Sequence, residues 1–356
     1  MRIELVPRVE PKAWARALAP VAALIVSFAI AGLVIWGMGR SPVAAFQIYI
    51  LDPLTDPWSL REIAMKASPL VIIAIGLSYC FRANLWNIGA EGQFIVGAIF
   101  GSWLALATHG TDAGMWVLPL MMILAMIGGA LYGAIPAFLR VRFGVNEILT
   151  SLFLVYVAQL LLDYLVRGPW RDPMGFNFPQ SVVFDTAATL PAIAGMGRVH
   201  IGVIFALIAA IVTMVVLGRT LFGYRLRVSG DAPRAARFAG FSQARTIVTV
   251  FCISGGLAGL AGIIEVSGVL RQVQPSISPG YGFTAIIVAF LGRLNPIGIL
   301  VAGFIMALIL IGGENAQIML RLPLDLALAF QGLVLLCVLS ADALVSNRLR
   351  IVRARA

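Results

Sequence analysis

The sequence predicts an all-α, polytopic membrane protein, and three observations indicate this fold class. Hydrophobic residues make up 60% of the 356-residue chain, and the mean hydropathy is +0.97. Charged residues make up only 12%, whereas soluble globular chains carry about 25%. Apolar runs of roughly 20 residues, the length that crosses the hydrocarbon core of a bilayer, recur along the chain. The short alternating segments of a membrane β-barrel do not occur in the sequence.

The apolar runs predict a bundle of about ten spans. The first run exceeds the 7–15 apolar residues of a signal peptide, so we interpret it as an uncleaved span. The eighth is too short to cross as a straight helix and needs protein or water around it. Eight spans with re-entrant short elements are the alternative. The predicted spans are 17–38, 62–81, 90–108, 116–139, 147–165, 200–218, 247–267, 282–292, 296–313 and 324–341.

The net charge of +10 follows the ends of these spans. With the N-terminus inside, 18 of the 26 Lys and Arg residues fall in inside segments. This bias agrees with the positive-inside rule, and an even number of spans then places both termini in the cytoplasm. Basic residues are not interleaved with aromatic residues as in a single-strand-binding groove, so we expect membrane lipid and no nucleic acid as a partner.

The predicted organisation is a single transmembrane domain between two basic ends. The cytoplasmic N-terminus covers 1–16, the membrane domain covers 17–345, and the cytoplasmic tail covers 346–356. An external loop at 166–199 carries four prolines and several aromatic residues. A loop this long is usually functional or disordered. We interpret it either as a lid over the span ends or as a docking surface for an external partner.

A cytoplasmic loop at 219–245 contains a short helix with defined ends. Asp231 is a favourable N-cap, Pro233 fits the first helical turn, and Gly240 suits the left-handed residue after a helix. These signals predict a helix over 231–239.

A helix of this length is marginal in water, so it has to be held by packing. The small Ala235 and Ala236 permit close approach, and Phe238 offers a single apolar anchor. A helix lying on a membrane needs a wider apolar face. The pattern therefore favours a protein groove over the lipid surface.

Three motifs resemble the permeases of ATP-binding-cassette (ABC) importers for branched-chain amino acids, ribose and nucleosides. The pattern TxFGxxLRxxGxxxxAAxxAG, from Thr220 to Gly240, resembles their coupling segment. NLWNIGAEGQ at 84–93 resembles a signature of the nucleoside-type permeases, and sugar permeases carry similar stretches. The third match is GFTAIIVAFLG at 282–292 with the following Asn-Pro-Ile-Gly. The resemblance extends from about Leu60 to Leu339.

The resemblance implies a type II-like importer permease with short or broken membrane helices, in a bacterial plasma (inner) membrane. It implies nucleoside import, with a simple sugar such as ribose as the alternative cargo. The implied partners are a cytosolic ABC ATPase, a second and related permease subunit, and an extracytoplasmic solute-binding lipoprotein or periplasmic protein. The implied ATPase-coupling residues are Gly230, Asp231, Ala235, Ala236, Arg237, Phe238 and Gly240.

Polar and aromatic residues near the signature are candidates for the translocation path. A polar side chain at membrane depth is costly and usually functional. They also have structural interpretations: Asn87 as a helix cap, Glu91 as a partner of Arg82, and the aromatic pair as belt residues. The path candidates are Asn84, Asn87, Glu91, Gln93, Tyr281 and Phe283.

The sequence contains no pattern of an enzyme. It has no GxxxxGK[ST] loop, HExxH or GxSxG motif, and its three cysteines lack metal-ligand spacing. We therefore expect no catalytic residue, no metal and no cofactor on this chain, with ATP and Mg²⁺ on the separate ATPase. An ion-coupled carrier is disfavoured because the middles of 17–38, 116–139 and 200–218 contain no carboxylate.

Overall fold

The computed structural model describes residues 2–7, 13–321 and 323–352, and it confirms the all-α fold class. Helices account for most of these residues. The helices are α1 Ala13–Gly37, α2 Pro42–Phe46, α3 Asp52–Thr55, α4 Pro57–Arg82, α5 Ala90–Ala107, α6 Val117–Phe143, α7 Glu147–Arg167, α8 Gly202–Arg219, α9 Leu221–Asp231, α10 Pro233–Phe238, α11 Gln243–Glu265, α12 Tyr281–Leu291, α13 Pro296–Leu320 and α14 Leu324–Ser346.

Irregular helical turns join some of these helices. A π-helical turn over Gln47–Leu51 connects α2 to α3, and another over Val266–Leu270 extends α11. A 3₁₀ turn occupies Thr186–Ala188 in the external loop. Because π-turns disturb the regular helical ladder, α11 changes its backbone geometry where it meets that loop.

Nine of the helices in the described part of the chain are long and apolar enough to cross a membrane. They correspond to nine of the ten predicted spans. The remaining predicted span, 282–292, is the short α12, which has only 11 residues. The prediction that this element is too short to cross as a straight helix is confirmed.

The chain divides into two compact units, which we call the terminal unit and the central unit. The terminal unit comprises Met1–Leu60 and Leu308–Ala356, and the central unit comprises Arg61–Ala307. The predicted single domain over 17–345 stays a prediction.

In the terminal unit, α1 packs against α14 and the two chain ends pair. Strand β1, Arg2–Pro7, is antiparallel to strand β2, Asn347–Val352. Arg2 lies opposite Val352, and Pro7 lies opposite Asn347. Both ends of the described chain therefore leave this unit at the same place.

The core of the central unit is formed by α5, α6 and α11, which approach one another through glycines. A Cβ atom added to Gly259 of α11 would collide with the Ala125 carbonyl oxygen of α6. One added to Gly129 would collide with the Gly255 carbonyl oxygen, and one added to Gly97 of α5 with the Gly259 backbone. Small residues allow helix backbones to pack this closely, as is common between membrane helices.

Polar contacts between different elements define two ends of the central unit. At the basic end, Arg140 forms an ion pair with Glu147, and the Arg82 guanidinium donates to the Leu294 carbonyl oxygen at 2.8 Å.

At the loop end, the 166–199 loop contacts the segments that follow α5 and α11. The His109 imidazole lies 3.3 Å from the Asp185 carboxylate. The Ser181 amide donates to the Val273 carbonyl oxygen at 2.8 Å.

Residues 271–291 connect the two ends in an unusual way. The segment leaves the loop end without helical structure, and α12 begins only at Tyr281. At the basic end, the Phe290 ring stacks on Trp86 with centroids 5.6 Å apart. The helical part is only about 16 Å long at 1.5 Å per residue. The segment 271–291 is therefore half non-helical and half helical, a form that membrane proteins tolerate where protein or water surrounds the backbone.

Candidate functional site

The signature at 84–93 forms a closed network of buried amides and hydroxyls. The Asn87 and Gln93 side chains exchange two hydrogen bonds, at 2.9 and 3.1 Å. Asn87 also donates to the Ser254 hydroxyl at 3.0 Å and accepts from the Gly89 amide at 3.1 Å. Asn87 and Gln93 are 0% and 1% exposed, so this amide cluster ties the start of α5 to α11.

Glu91, in the first turn of α5, caps the N-terminus of α12. Its Oε2 accepts a hydrogen bond from the Gly282 amide at 2.6 Å, and the residue is 2% exposed. The Tyr281 amide donates to the Ser278 hydroxyl at 3.0 Å. A carboxylate is stabilised at the positive end of a helix dipole. Arg82, considered as a partner of Glu91, donates instead to Leu294.

A cavity of about 400 Å³ opens beside Glu91. One wall is α5, a second is α7, and a third is the non-helical segment before α12. The α7 wall presents Tyr156, Gln159 and Asp163, which recur at the spacing of one helical face. The segment before α12 contributes Ser276 and Ser278. A pocket of this size, with apolar walls and a few polar groups, is typical of small-molecule sites.

The path candidates lie in different environments. Of the six, Glu91 lines this cavity. Tyr281 is 2% exposed, and its hydroxyl lies 3.4 Å from Glu265 Oε1. Phe283 is 39% exposed. Asn84 occupies the turn after α4 with φ of +55°. Their assignment to the translocation path stays a prediction.

Sequence reasoning missed the α7 wall. The available signal was polar and aromatic residues at positions 156, 159 and 163 of an otherwise apolar span. Polar side chains on one face of a membrane helix avoid lipid and mark a wet cavity or a protein contact.

The loop at 219–245, for which a cytoplasmic position is predicted, contains two helices where one was predicted. α9 begins after Thr220, whose hydroxyl accepts from the Gly223 amide at 3.3 Å, and it continues through Asp231. The prediction that Asp231 caps the second helix is wrong. α10 begins at Pro233, its N-cap residue is Ala232, and that cap has no side-chain hydrogen bond.

The predicted end of the second helix is confirmed. Gly240 has φ of +79°, and the Phe241 amide donates to the Ala236 carbonyl oxygen at 3.0 Å. These are the features of a glycine-terminated helix. Gly230, in α9, allows another close approach, because a Cβ there would collide with the Arg82 carbonyl oxygen.

Most of α10 is exposed. Phe238 is 95% exposed, whereas Ala236 is 4% exposed and forms its packed side. Asp231 and Ala235 are also exposed, and the Arg237 guanidinium donates to the Gln243 side chain at 2.7 Å. A six-residue helix with one buried side chain has little to hold it in water. The segment has the properties of a surface that another protein covers.

Within residues 2–7, 13–321 and 323–352, no group of three His, Cys, Asp or Glu side chains could hold a metal ion. The three cysteines are free, and Cys80 and Cys337 are buried. The expectation of no cofactor on this chain stays a prediction.

Comparisons with known proteins identify a family. Residues 59–339 match the family described as "Branched-chain amino acid transport system / permease component". The glucose ABC transporter permease protein of Haloferax volcanii is 36% identical, over 96% of this chain and 92% of its own length. The guanosine ABC transporter permease protein of Bacillus subtilis is 28% identical, over 92% and 94%.

A third relative is the nucleoside ABC transporter permease protein of Lactococcus lactis, 27% identical over 84% of both chains. No solved structure matches the chain significantly. Because the family match covers more than half of the sequence, the resemblance seen in the motifs is confirmed. The chain belongs to the branched-chain amino acid transport system permease family, and it is a multi-pass membrane permease of an ABC importer of the sugar and nucleoside type.

Proposed function

We propose that this permease carries a nucleoside inward across a bacterial plasma membrane. The observation that carries the proposal is the cavity beside Glu91, which combines an aromatic wall at Tyr156 with amide, hydroxyl and carboxylate groups. A nucleoside has an aromatic base and a hydroxylated sugar, so it matches both kinds of wall. The names of the Lactococcus lactis and Bacillus subtilis relatives agree with this cargo.

A simple sugar is the second candidate. The relative from Haloferax volcanii, at 36% identity, is named for glucose. Glucose and a nucleoside both present several neutral hydroxyl groups, so the polar wall suits either. The Tyr156 ring can stack on a flat base only if the cargo is a nucleoside.

We propose that a separate cytosolic ATPase supplies the energy and binds ATP and Mg²⁺. Its groove covers α10, with Phe238 as the anchor and Ala235, Arg237 and Gly240 around it. The exposure of Phe238 supports this placement. The roles of Gly230 and Asp231 are indirect, since they set the turn from α9 into α10.

A second, related permease subunit completes the transport pathway, and an extracytoplasmic binding protein delivers the cargo to the 166–199 loop. We place both termini in the cytoplasm. The pairing of β1 with β2 supports a common side for both termini, because it keeps the two chain ends together. The broken crossing over 271–291 supports it as well, since it adds a tenth crossing to the nine long helices of the described residues.

Uptake by intact cells tests the cargo. We expect deletion of the gene to abolish uptake of labelled guanosine, and unlabelled glucose or ribose not to compete with guanosine in the wild type. Re-expression of the intact permease is the control and should restore uptake. Loss of glucose uptake with normal guanosine uptake would identify the sugar as the cargo instead.

A further inference from the structure

One face of α7 is more polar than a lipid-facing helix allows. Gln159 is exposed, and its amide has no hydrogen-bond partner among the described residues. Asp163, one turn further, is bound by Arg167 at 2.8 Å. Tyr156, three residues before Gln159, is 59% exposed. An unpartnered amide on a membrane-crossing helix is costly in lipid, so this face meets water, solute or protein.

The same face is one wall of the cavity beside Glu91. The carboxylate of Glu91 is fixed by the Gly282 amide, so it is held rigidly at the start of α12. Opposite walls of one cavity thus hold a rigid carboxylate, an unpartnered amide and an exposed aromatic ring. These are the group types that recognise hydroxyls, base edges and a flat ring, respectively.

We propose that this cavity is a solute subsite of the translocation path, and that it selects neutral nucleosides over nucleotides. The proposal rests on the proposed function and assigns residues to it. Tyr156 stacks on the base, the Gln159 amide bonds to the base edge, and Glu91 accepts hydrogen bonds from sugar hydroxyls.

The charge of the lining explains the selection against nucleotides. Among the lining residues of the described chain, Glu91 and Asp163 are acidic and none is basic. Arg167, which pairs with Asp163, is not part of the lining. Asp163 is compensated by Arg167, but Glu91 has no cationic partner among the described residues. A phosphate group beside Glu91 would therefore lack a counter-charge, which is unfavourable in a partly desolvated cavity.

Kinetics in proteoliposomes containing the complete importer test the subsite. We expect Tyr156→Ala and Gln159→Leu each to raise the KM for guanosine at least about tenfold, with the maximal rate kept within about twofold. Tyr164→Ala is the matched control, because Tyr164 lies on the same helix, is 67% exposed and does not line the cavity. An unchanged KM in both cavity variants would overturn the subsite.

Thiol labelling provides a readout that does not depend on transport. A hydrophilic maleimide should modify Gln159→Cys, and guanosine should slow that reaction at least threefold whereas guanosine monophosphate should not. Met174→Cys, an exposed position in the 166–199 loop and outside the cavity, should be modified without protection. The unmodified protein controls for its three natural cysteines. Equal protection by both ligands would overturn the selectivity.

The two proposals fail in distinguishable ways. If the wild-type importer carries glucose and not guanosine, the proposed cargo is wrong. The same variants are then measured with glucose. Protection of Gln159→Cys by glucose and a raised KM in Gln159→Leu would keep the subsite with a sugar as its ligand. The absence of both effects with whichever solute is transported would overturn it.

Discussion

The amide cluster at the start of α5 and the short helix α10 use polar and small residues in opposite ways. Asn87 and Gln93 are buried, and their amides are satisfied within the chain. On α10, Phe238 is almost entirely exposed and Ala236 alone is buried. Both segments resemble family signatures in sequence. The structure indicates that the first signature maintains helix packing, whereas the second displays a surface.

Burial and hydrogen bonding distinguish a signature that stabilises the fold from one that binds a partner. A buried polar group with all its partners inside the fold contributes to stability, and its loss leaves other groups unpaired. An exposed apolar side chain contributes little to stability and is available to a partner. Substitutions in the amide cluster should therefore change unfolding, whereas substitutions in α10 should change transport.

The largest expected effect is at the glycine contacts between the buried helices. Gly259→Leu should prevent the protein from accumulating in the membrane, because a side chain there meets the α6 backbone, which cannot move aside. Overpacking costs about 3 kcal/mol or more. The check is the yield of monodisperse protein by size-exclusion chromatography. Gly218→Leu on α8, where the surrounding space is open, should give wild-type yield.

The next largest effect is expected when the centre of the amide cluster is removed. Asn87→Ala should lower the free energy of unfolding by about 3 kcal/mol, because the Gln93 amide and the Gly89 amide lose a buried partner. Thermal unfolding in detergent measures it. Gln159→Ala, which removes an exposed amide, should leave the unfolding temperature unchanged. Equal unfolding temperatures for both variants would contradict a structural role for the cluster.

A smaller effect is expected at the end of α10. Gly240→Ala places a side chain in the left-handed region and should cost about 1 kcal/mol. Because α10 has few contacts, the cost should appear locally, as faster amide hydrogen exchange over 233–241. Exchange in the α5 and α11 helices should not change. An effect spread over all three helices would show that α10 is more firmly integrated than its exposure suggests.

The smallest effect on stability is expected at Phe238, although its effect on transport is large. Phe238→Ala should not shift thermal unfolding, since the ring is 95% exposed. Loss of an anchor at the centre of an interface costs 1–2 kcal/mol or more, so ATP-driven uptake should fall roughly tenfold. Phe238→Leu, which keeps an apolar anchor, should restore most of it. Normal uptake by Phe238→Ala would place the ATPase contact elsewhere.

The sequence predicted the long helices well because apolar length is a local property. The predicted 90–108 is α5 at Ala90–Ala107, and the predicted 147–165 is α7 at Glu147–Arg167. The short helices between α1 and α4 were missed, since runs of four and five residues give no periodic signal.

The site was predicted only in part because its contacts are distant in sequence. Glu91 and Gly282 are 191 positions apart, and no local pattern connects them. The wrong cap at Asp231 has a different cause. Asp231 and Pro233 have the local pattern of a helix start, but α9 continues through Gly230, which packs against the Arg82 backbone, and it ends only at Asp231.

The pairing of β1 with β2 makes the polypeptide a natural candidate for circular permutation. Arg2 and Val352 are register partners, so only residues 353–356 and Met1 would separate the strands if Ala356 were ligated to Met1. Five residues are a common length for a hairpin connection. New ends could be opened at Gly195, in a turn of the external loop with open space around it. In the orientation that we propose, the new ends of such a permutant would lie in the extracytoplasmic compartment, where fused reporters would sample it.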